Sequence, residues 1–299
     1  MPKKVAVIGL GSMGYGIAQS ILAAGHQTFG FDVVAAQMHR FRAEGGAEGA
    51  REDIAATLDA VAVVVLNAAQ TEDVLFGPQG VVPRMAPGSV VMACATVPPA
   101  FAREMAARCA EHHVHYLDAP ISGGAVKAAQ GALTIMASGT AEAFAAAAEM
   151  LDATSEKVFR LGDAAGAGSA MKAVNQLLAG VHIATMAEAM TFGMTQGVPP
   201  ETFMEVIPSC AGNSWMLENR GPHIVDGDYT PRSAVNIWPK DLGIVLDIAR
   251  DAQFSAPMTA TALAQYEAAA GMGLGGEDDA AVAKVYARMA GLALPGEAS

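Results

Sequence analysis

The chain has 299 residues, 52% of them hydrophobic and only 16% charged, with a formal net charge of −12. This composition excludes a disordered chain and supplies more core than one ordinary domain buries, so two domains are expected. The acidic balance excludes nucleic-acid and anionic-membrane surfaces, which need clustered Lys and Arg, but leaves a small anionic ligand open because a few local cations decide a pocket.

Cys94, Cys109 and Cys210 are scattered without a C-x-x-C pair, which fits reduced, buried thiols rather than a disulfide framework or a zinc site. The opening run Val5-Ala6-Val7-Ile8 is too short for a signal peptide and ends in Gly9. No uninterrupted apolar run reaches the ~18 residues of a membrane span. A cytoplasmic chain is expected.

Residues 3–8 read as a short buried parallel strand that feeds directly into Gly9-Leu10-Gly11-Ser12-Met13-Gly14 and then a helical pattern through Ala24. In this context Gly9 allows the tight turn, Gly11 lets backbone approach a pyrophosphate, and Gly14 allows close packing at a helix amino terminus. A second strand, 27–31, ends in Asp32, where a carboxylate hydrogen-bonds the ribose hydroxyls of an adenosine and repels a 2′-phosphate. NAD is therefore expected, with NADP kept open by nearby Arg40 and Arg42. Strands over 60–66 and 89–93 end near Asn67-Ala68 and Thr96, and the carboxyl ends of such strands are where cofactor contacts fall.

A helix from Pro98 to Glu111 and a fifth strand over 114–117 follow. His112, His113 and His115 match no metal-ligand spacing and read as a helix end entering a strand, so no metal is expected. Asp118-Ala119-Pro120-Ile121-Ser122-Gly123-Gly124 comes next. Its hydroxyl and unobstructed glycine N–H groups suit a carboxylate, although a plain Pro/Gly loop has the same spacing. Further strands over 133–137 and 158–161 flank a helix over 141–151, and residues 162–168 look like the boundary between domains 1–162 and 163–299. Beyond it only helical patterns appear.

The longest of these, 166–196, has no Pro, and Met171, Val174, Leu178 and Val181 recur at three or four residues, which predicts a buried helix. Lys172 sits where the pattern wants burial, with Asn175 and Gln176 at i+3 and i+4 on the same face. An amine beside an amide in apolar surroundings suits proton transfer; a lysine that merely snorkels out is the plain alternative.

Four separated motifs, V-I-G-L-G-S-M-G at 7–14, D-A-P-I-S-G-G at 118–124, G-A-G-S-A-M-K-A-V-N-Q at 166–176 and K-D-L-G at 240–243, make the chain resemble the β-hydroxyacid dehydrogenase family. That family includes 3-hydroxyisobutyrate dehydrogenase, tartronate semialdehyde reductase and the threonate dehydrogenases. The resemblance implies an α/β fold: an N-terminal Rossmann-like doubly wound sheet joined by a long interdomain helix to an all-α C-terminal domain, with the active cleft between them. It implies Lys172 as the catalytic residue, substrate contacts from Ser122, Gly123, Gly124 and Asn175, and contacts from Thr96 and Lys240 to the nicotinamide cofactor. Gln176 stands where many members have a second Asn. Burial, Lys240 and an oxidised nicotinamide would lower the pKa of Lys172 towards that of a usable base.

The segments 211–215, 226–231 and 67–70 resemble the threonate branch, and Asn213, Ser214 and Asn219 are placed to read extra hydroxyls of a sugar acid or, equally, to cap a helical loop. Asn236 and Trp238-Pro239 depart from that branch. The expected substrate is a small anionic hydroxy acid such as L-threonate; 3-hydroxyisobutyrate, tartronate semialdehyde and succinic semialdehyde are the alternatives. An imine reductase of this fold would lack Lys172. A non-catalytic NAD-binding sensor would have no reason to keep Ser122, Lys172, Asn175 and Lys240 together. The family and the Met-rich helix 185–194 suggest a homo-oligomer, dimer or tetramer.

Overall fold

The computed structural model describes residues 2–296. The chain divides into two compact units, Met1–Lys172 and Ala173–Ser299. In the first, the order is β1 (Lys4–Ile8), α1 (Gly14–Ala23), β2 (Gln27–Phe31), α2 (Ala35–Ala43), α3 (Arg51–Ile54), β3 (Ala60–Val63), α4 (Ala68–Phe76) and β4 (Val90–Ala93). There follow α5 (Pro99–Glu111), β5 (His115–Asp118), β6 (Ile121–Ser122), α6 (Gly124–Ala129), β7 (Leu133–Ala137), α7 (Ala141–Thr154) and β8 (Ser155–Arg160).

Strands β1 to β5 form one parallel sheet in the order β2-β1-β3-β4-β5. The four-residue strands β3 and β4 are buried throughout, as expected where helices cover both faces of a parallel sheet. One face packs Val5, Val7, Ile17, Ile21 and Met92; the other packs Ile8, Val61, Val63, Leu75 and Met105. Because chain order reverses between β2 and β3 on either side of β1, a crevice opens at the carboxyl ends of β1 and β3, the usual ligand position in this topology.

Strands β6, β7 and β8 make a separate three-stranded sheet, antiparallel between β6 and β7 and parallel between β7 and β8. The segment 118–124, read from sequence as a loop, thus contains a short strand and the start of α6. Gly123 (φ 133°) and Gly124 (φ 79°) turn the chain from one to the other, in a region of backbone space that favours glycine.

Helix α8 (Ala167–Thr195) crosses from the first unit into the second, and α9 (Pro200–Val206), α10 (Trp215–Val225), α11 (Ile237–Asp251), α12 (Pro257–Ala269) and α13 (Ala283–Ala290) complete the chain. Its burial corrects the sequence expectation. Met171, Val174 and Leu178 are 44%, 54% and 49% exposed, whereas Lys172, Gln176, Ile183, Ala187 and Met190 are buried. The helix carries two apolar stripes, and the inward one is set by small and bonded residues that let neighbours approach. At Gly180 an added Cβ would lie 2.8 Å from the Trp238 ring, which itself stacks on Tyr266 at 5.5 Å, while Tyr266 Oη donates to Gly180 O at 2.8 Å. Helix α8 is long and apolar enough to cross a membrane by composition, but its Met186 and Met190 are packed into the helical core of the second unit, as in the core helix of a globular protein.

The start of α8 is hydrogen-bonded within the first unit, through Gly166, Gly168 and Ser169. Cys94 and Cys109 are buried as expected, whereas Cys210 is exposed.

Candidate active site

In the first unit the glycine turn closes at the carboxyl end of β1. Gly9 has φ 98°, and a Cβ there would meet Val64 O at 2.2 Å; one on Gly14 would meet Gly9 O at 1.8 Å. A Cβ on Gly11 would meet nothing within 4 Å. Gly9 and Gly14 are thus required by the protein's own packing, while Gly11 keeps a face of the turn open beside the amino terminus of α1. Tyr15 N donates to Gly11 O at 3.0 Å, so the turn is tied to the first residues of the helix and its open face at Gly11 lies at the positive end of the helix dipole, where a pyrophosphate fits.

The side chain of Leu10 is buried and its N–H donates to Asp32 Oδ2 at 2.6 Å; Val34 N donates to Oδ1 at 2.8 Å. Two backbone donors therefore fix the Asp32 carboxylate at the end of β2, with lone pairs to spare for ribose hydroxyls. Arg40, by contrast, is engaged: its guanidinium lies 4.2 Å from the centroid of the Tyr15 ring and its Nε is 3.2 Å from Glu44 Oε1. Ser12 and Met13 complete the turn. Asn67 caps α4 by accepting from Gln70 N at 2.9 Å, with Ala68 the first helical residue, and Thr96 follows β4. Parallel pairing puts all these strand ends along one edge of the sheet.

Lys172 is 9% exposed, and its Nζ donates to Ile121 O at 2.8 Å. The lysine therefore reaches across to β6, immediately before Ser122, Gly123 and Gly124. Two motifs 51 residues apart meet there.

What holds the start of α8 in place was not read from sequence. Asp118, buried at the end of β5, accepts from Gly166 N and Ser169 N, both at 2.9 Å, from Ser169 Oγ at 2.6 Å and from Ser138 Oγ at 3.1 Å. Ser138 Oγ in turn accepts from Gly168 N at 2.9 Å. An anion at a helix amino terminus answers both the unpaired N–H groups and the helix dipole. The only sequence signal was the Asp that opens one motif and the Ser inside the other.

In the second unit, Asn175 Nδ2 donates to Gln176 Oε1 at 2.8 Å, and Gln176 Nε2 donates to the buried Asp241 Oδ2 at 2.5 Å. Lys240 Nζ lies 2.6 Å from Asp241 Oδ1. Asp241 was visible in sequence only as part of K-D-L-G. Asn213, Ser214 and Asn219 have local partners: Asn213 Nδ2 donates to Pro208 O at 3.0 Å and to Glu218, Ser214 caps α10 by accepting from Leu217 N at 3.1 Å, and Asn219 accepts from Arg220. No group of three or more His, Cys, Asp or Glu side chains is arranged for a metal among the described residues.

A parallel sheet with an open glycine turn over a helix amino terminus, and a buried lysine brought to a Ser-Gly-Gly turn, is the plan of a nicotinamide-dependent oxidoreductase. Residues 4–162 match the family model described as the NAD binding domain of 6-phosphogluconate dehydrogenase, and residues 166–286 match that of NADP-dependent 3-hydroxyisobutyrate dehydrogenase. The chain is 50% identical to L-threonate dehydrogenase of Cupriavidus necator over 100% of both chains, and 47% identical to that of Escherichia coli over 99% of this chain and 97% of the other. A crystal structure of 3-hydroxyisobutyrate dehydrogenase from Salmonella typhimurium, 48% identical, superposes with a TM-score of 0.89 over 95% of this chain and 99% of that one. Imine reductases share the fold alone, such as that from Pseudomonas sp. at 21% identity and TM-score 0.64, covering 95% of this chain and 99% of that one. The chain belongs to the β-hydroxyacid dehydrogenase family, NAD(P)-dependent enzymes that act on CH–OH groups.

Proposed function

We propose that this enzyme oxidises L-threonate, or a four-carbon sugar acid of the same kind, with NAD as hydride acceptor. The observation that carries the reading is the buried Lys172 Nζ held 2.8 Å from Ile121 O, beside Ser122, Gly123 and Gly124. The Ser122 hydroxyl and the glycine N–H groups are donors suited to a substrate carboxylate, and anchoring it fixes the substrate relative to the amine. As hydride leaves carbon, Lys172 in its amine form takes the hydroxyl proton; in the reverse direction its ammonium returns it. Asn175 orients the reacting group.

Bound NAD supplies a two-electron hydride acceptor. Gly9, Leu10, Gly11, Ser12, Met13 and Gly14 hold its phosphates, Asp32 its ribose, and Asn67, Ala68, Thr96 and Lys240 the remainder. The fixed carboxylate of Asp32 and the engagement of Arg40 support NAD over NADP, whose 2′-phosphate would meet a negative charge. On this reading residues 1–162 bind the dinucleotide and 163–299 serve substrate binding and self-association. The exposed Met171, Val174, Leu178 and Phe192 of α8 support a homo-oligomer.

The relatives named L-threonate dehydrogenase support the substrate. A second reading, 3-hydroxyisobutyrate, is favoured by the local engagement of Asn213, Ser214 and Asn219, which leaves the proposed hydroxyl readers capping a loop. The test follows absorbance of the reduced cofactor with NAD or NADP and L-threonate, D-glycerate, 3-hydroxyisobutyrate or 4-hydroxybutyrate, beside Lys172→Ala. We expect lysine-dependent turnover, best with NAD and L-threonate. Undiminished turnover in Lys172→Ala refutes the mechanism, and preference for 3-hydroxyisobutyrate refutes the substrate.

A further inference from the structure

The chain Lys240–Asp241–Gln176–Asn175 has a direction. Asp241 is buried and ion-paired with Lys240, so its carboxylate offers lone pairs and no hydrogen. Gln176 must therefore present its NH2 group to Asp241, as it does at 2.5 Å. An amide that turns its nitrogen one way turns its oxygen the other, so Gln176 Oε1 faces Asn175 and can only accept. Asn175 must then give an N–H to it, as it does at 2.8 Å. Without this constraint either amide could rotate by half a turn at little cost, because its oxygen and nitrogen have nearly the same shape.

We propose that Gln176 is a positioning residue that transmits the polarity of Asp241 to Asn175, so that Asn175 presents its Oδ1 as an acceptor for a substrate hydroxyl. This deepens the reading of Asn175 as a substrate contact and rests on it. A fixed acceptor rewards a substrate that carries a donor there and penalises one that does not, because the carbonyl is then desolvated without a partner. The relay thus selects a polyhydroxy acid over a deoxy counterpart.

Two measurements on the full-length enzyme separate the relay from the reading of the substrate. The first is a thermal-melting cycle without substrate. Asn175→Asp sets a carboxylate against Gln176 Oε1, and Gln176 cannot turn without aiming that oxygen at Asp241. Adding Asp241→Asn lets Gln176 turn round, with its NH2 serving the carboxylate introduced at position 175 and its oxygen accepting from the new amide. The double variant is expected to melt above Asn175→Asp alone; losses that merely add overturn the relay.

The second compares kcat/KM for L-threonate and 3-hydroxybutyrate in the wild type and in Gln176→Leu, which keeps the volume and removes the polarity. The ratio is expected to fall about fivefold or more, chiefly through KM for L-threonate, with the KM for NAD unchanged. An unchanged ratio overturns the selective role. If the wild type prefers another acid, the substrate reading fails while the melting cycle still decides the relay.

Discussion

Replacing Asp118 by Ala tests how the start of α8, and with it Lys172, is held. The substitution removes four hydrogen bonds from a carboxylate that is 1% exposed. The Ser138 and Ser169 hydroxyls can rotate to other acceptors, but the N–H groups of Gly166 and Ser169 cannot, because they belong to the backbone of the turn before α8 and of its first turn. Each stranded buried N–H costs roughly 1–3 kcal/mol. Some of the loss is returned because a buried charge no longer has to be desolvated. A net loss of about 3 kcal/mol follows, which in a unit of this size lowers the melting temperature by ~6–12 °C.

Differential scanning calorimetry measures the shift, and kcat at a temperature well below the transition reports the lysine. Asp118→Asn can set its amide oxygen at the Oδ2 position, where both backbone N–H groups point, and turn its NH2 towards the Ser169 hydroxyl, which can accept, so it is expected to recover much of the loss. A melting temperature within about 2 °C of the wild type for Asp118→Ala, with kcat unchanged, would refute the claim that this carboxylate anchors the helix.

The glycine turn separates folding from binding: Gly14→Ala, whose Cβ would lie 1.8 Å from Gly9 O, is expected to abolish soluble folded protein, whereas Gly11→Ala, which meets nothing within 4 Å, should melt like the wild type while raising the KM for NAD at least tenfold. Equal effects of the two on melting would contradict that division. In the second unit, burial tends to raise the carboxyl pKa of Asp278, but bonds from His223, Arg232 N and Ala280 N outweigh it and hold the pKa below its ordinary value. The stability this contributes is present above the unfolded carboxyl range near pH 4 and disappears as pH falls through the lower folded value. Urea melts from pH 6 to pH 3 should therefore show wild type and Asp278→Asn converging at the acid end; a constant gap would exclude the linkage. Burial pushes the Cys94 thiol up to about 12, helped by the nearby Asp118 charge, and burial likewise pushes Cys109 up to about 12. Iodoacetamide at pH 8 should label Cys210 alone in the folded protein, and mass spectrometry showing label on Cys94 would contradict the buried environment.

Much of this molecule is local in origin and was legible in the sequence. The run from β1 through Gly9, Gly11 and Gly14 to Asp32 specifies its own geometry, because a left-handed turn, an open backbone and a strand-end carboxylate each admit few residue types. Strands β2 and β7 have the bounds read for them, since a short apolar run closed by turn residues at both ends is a property of the local segment. The length of α8 was equally clear from an unbroken helical pattern, and Lys172 stood out as the charge that interrupted it.

Which way that helix faces was decided elsewhere. Periodicity locates an apolar stripe, but burial depends on what packs against it, and Trp238, Leu242 and Tyr266 approach the stripe bearing Gly180 and Ile183 rather than the one bearing Met171, Val174 and Leu178. The anchoring of α8 by Asp118 and the orientation of Asn175 through Gln176 and Asp241 join residues 51 and 65 positions apart, respectively. A single sequence carries the donors and acceptors of such networks but not their pairing, because a hydrogen bond is specified by distance and direction, and only the folded chain supplies both.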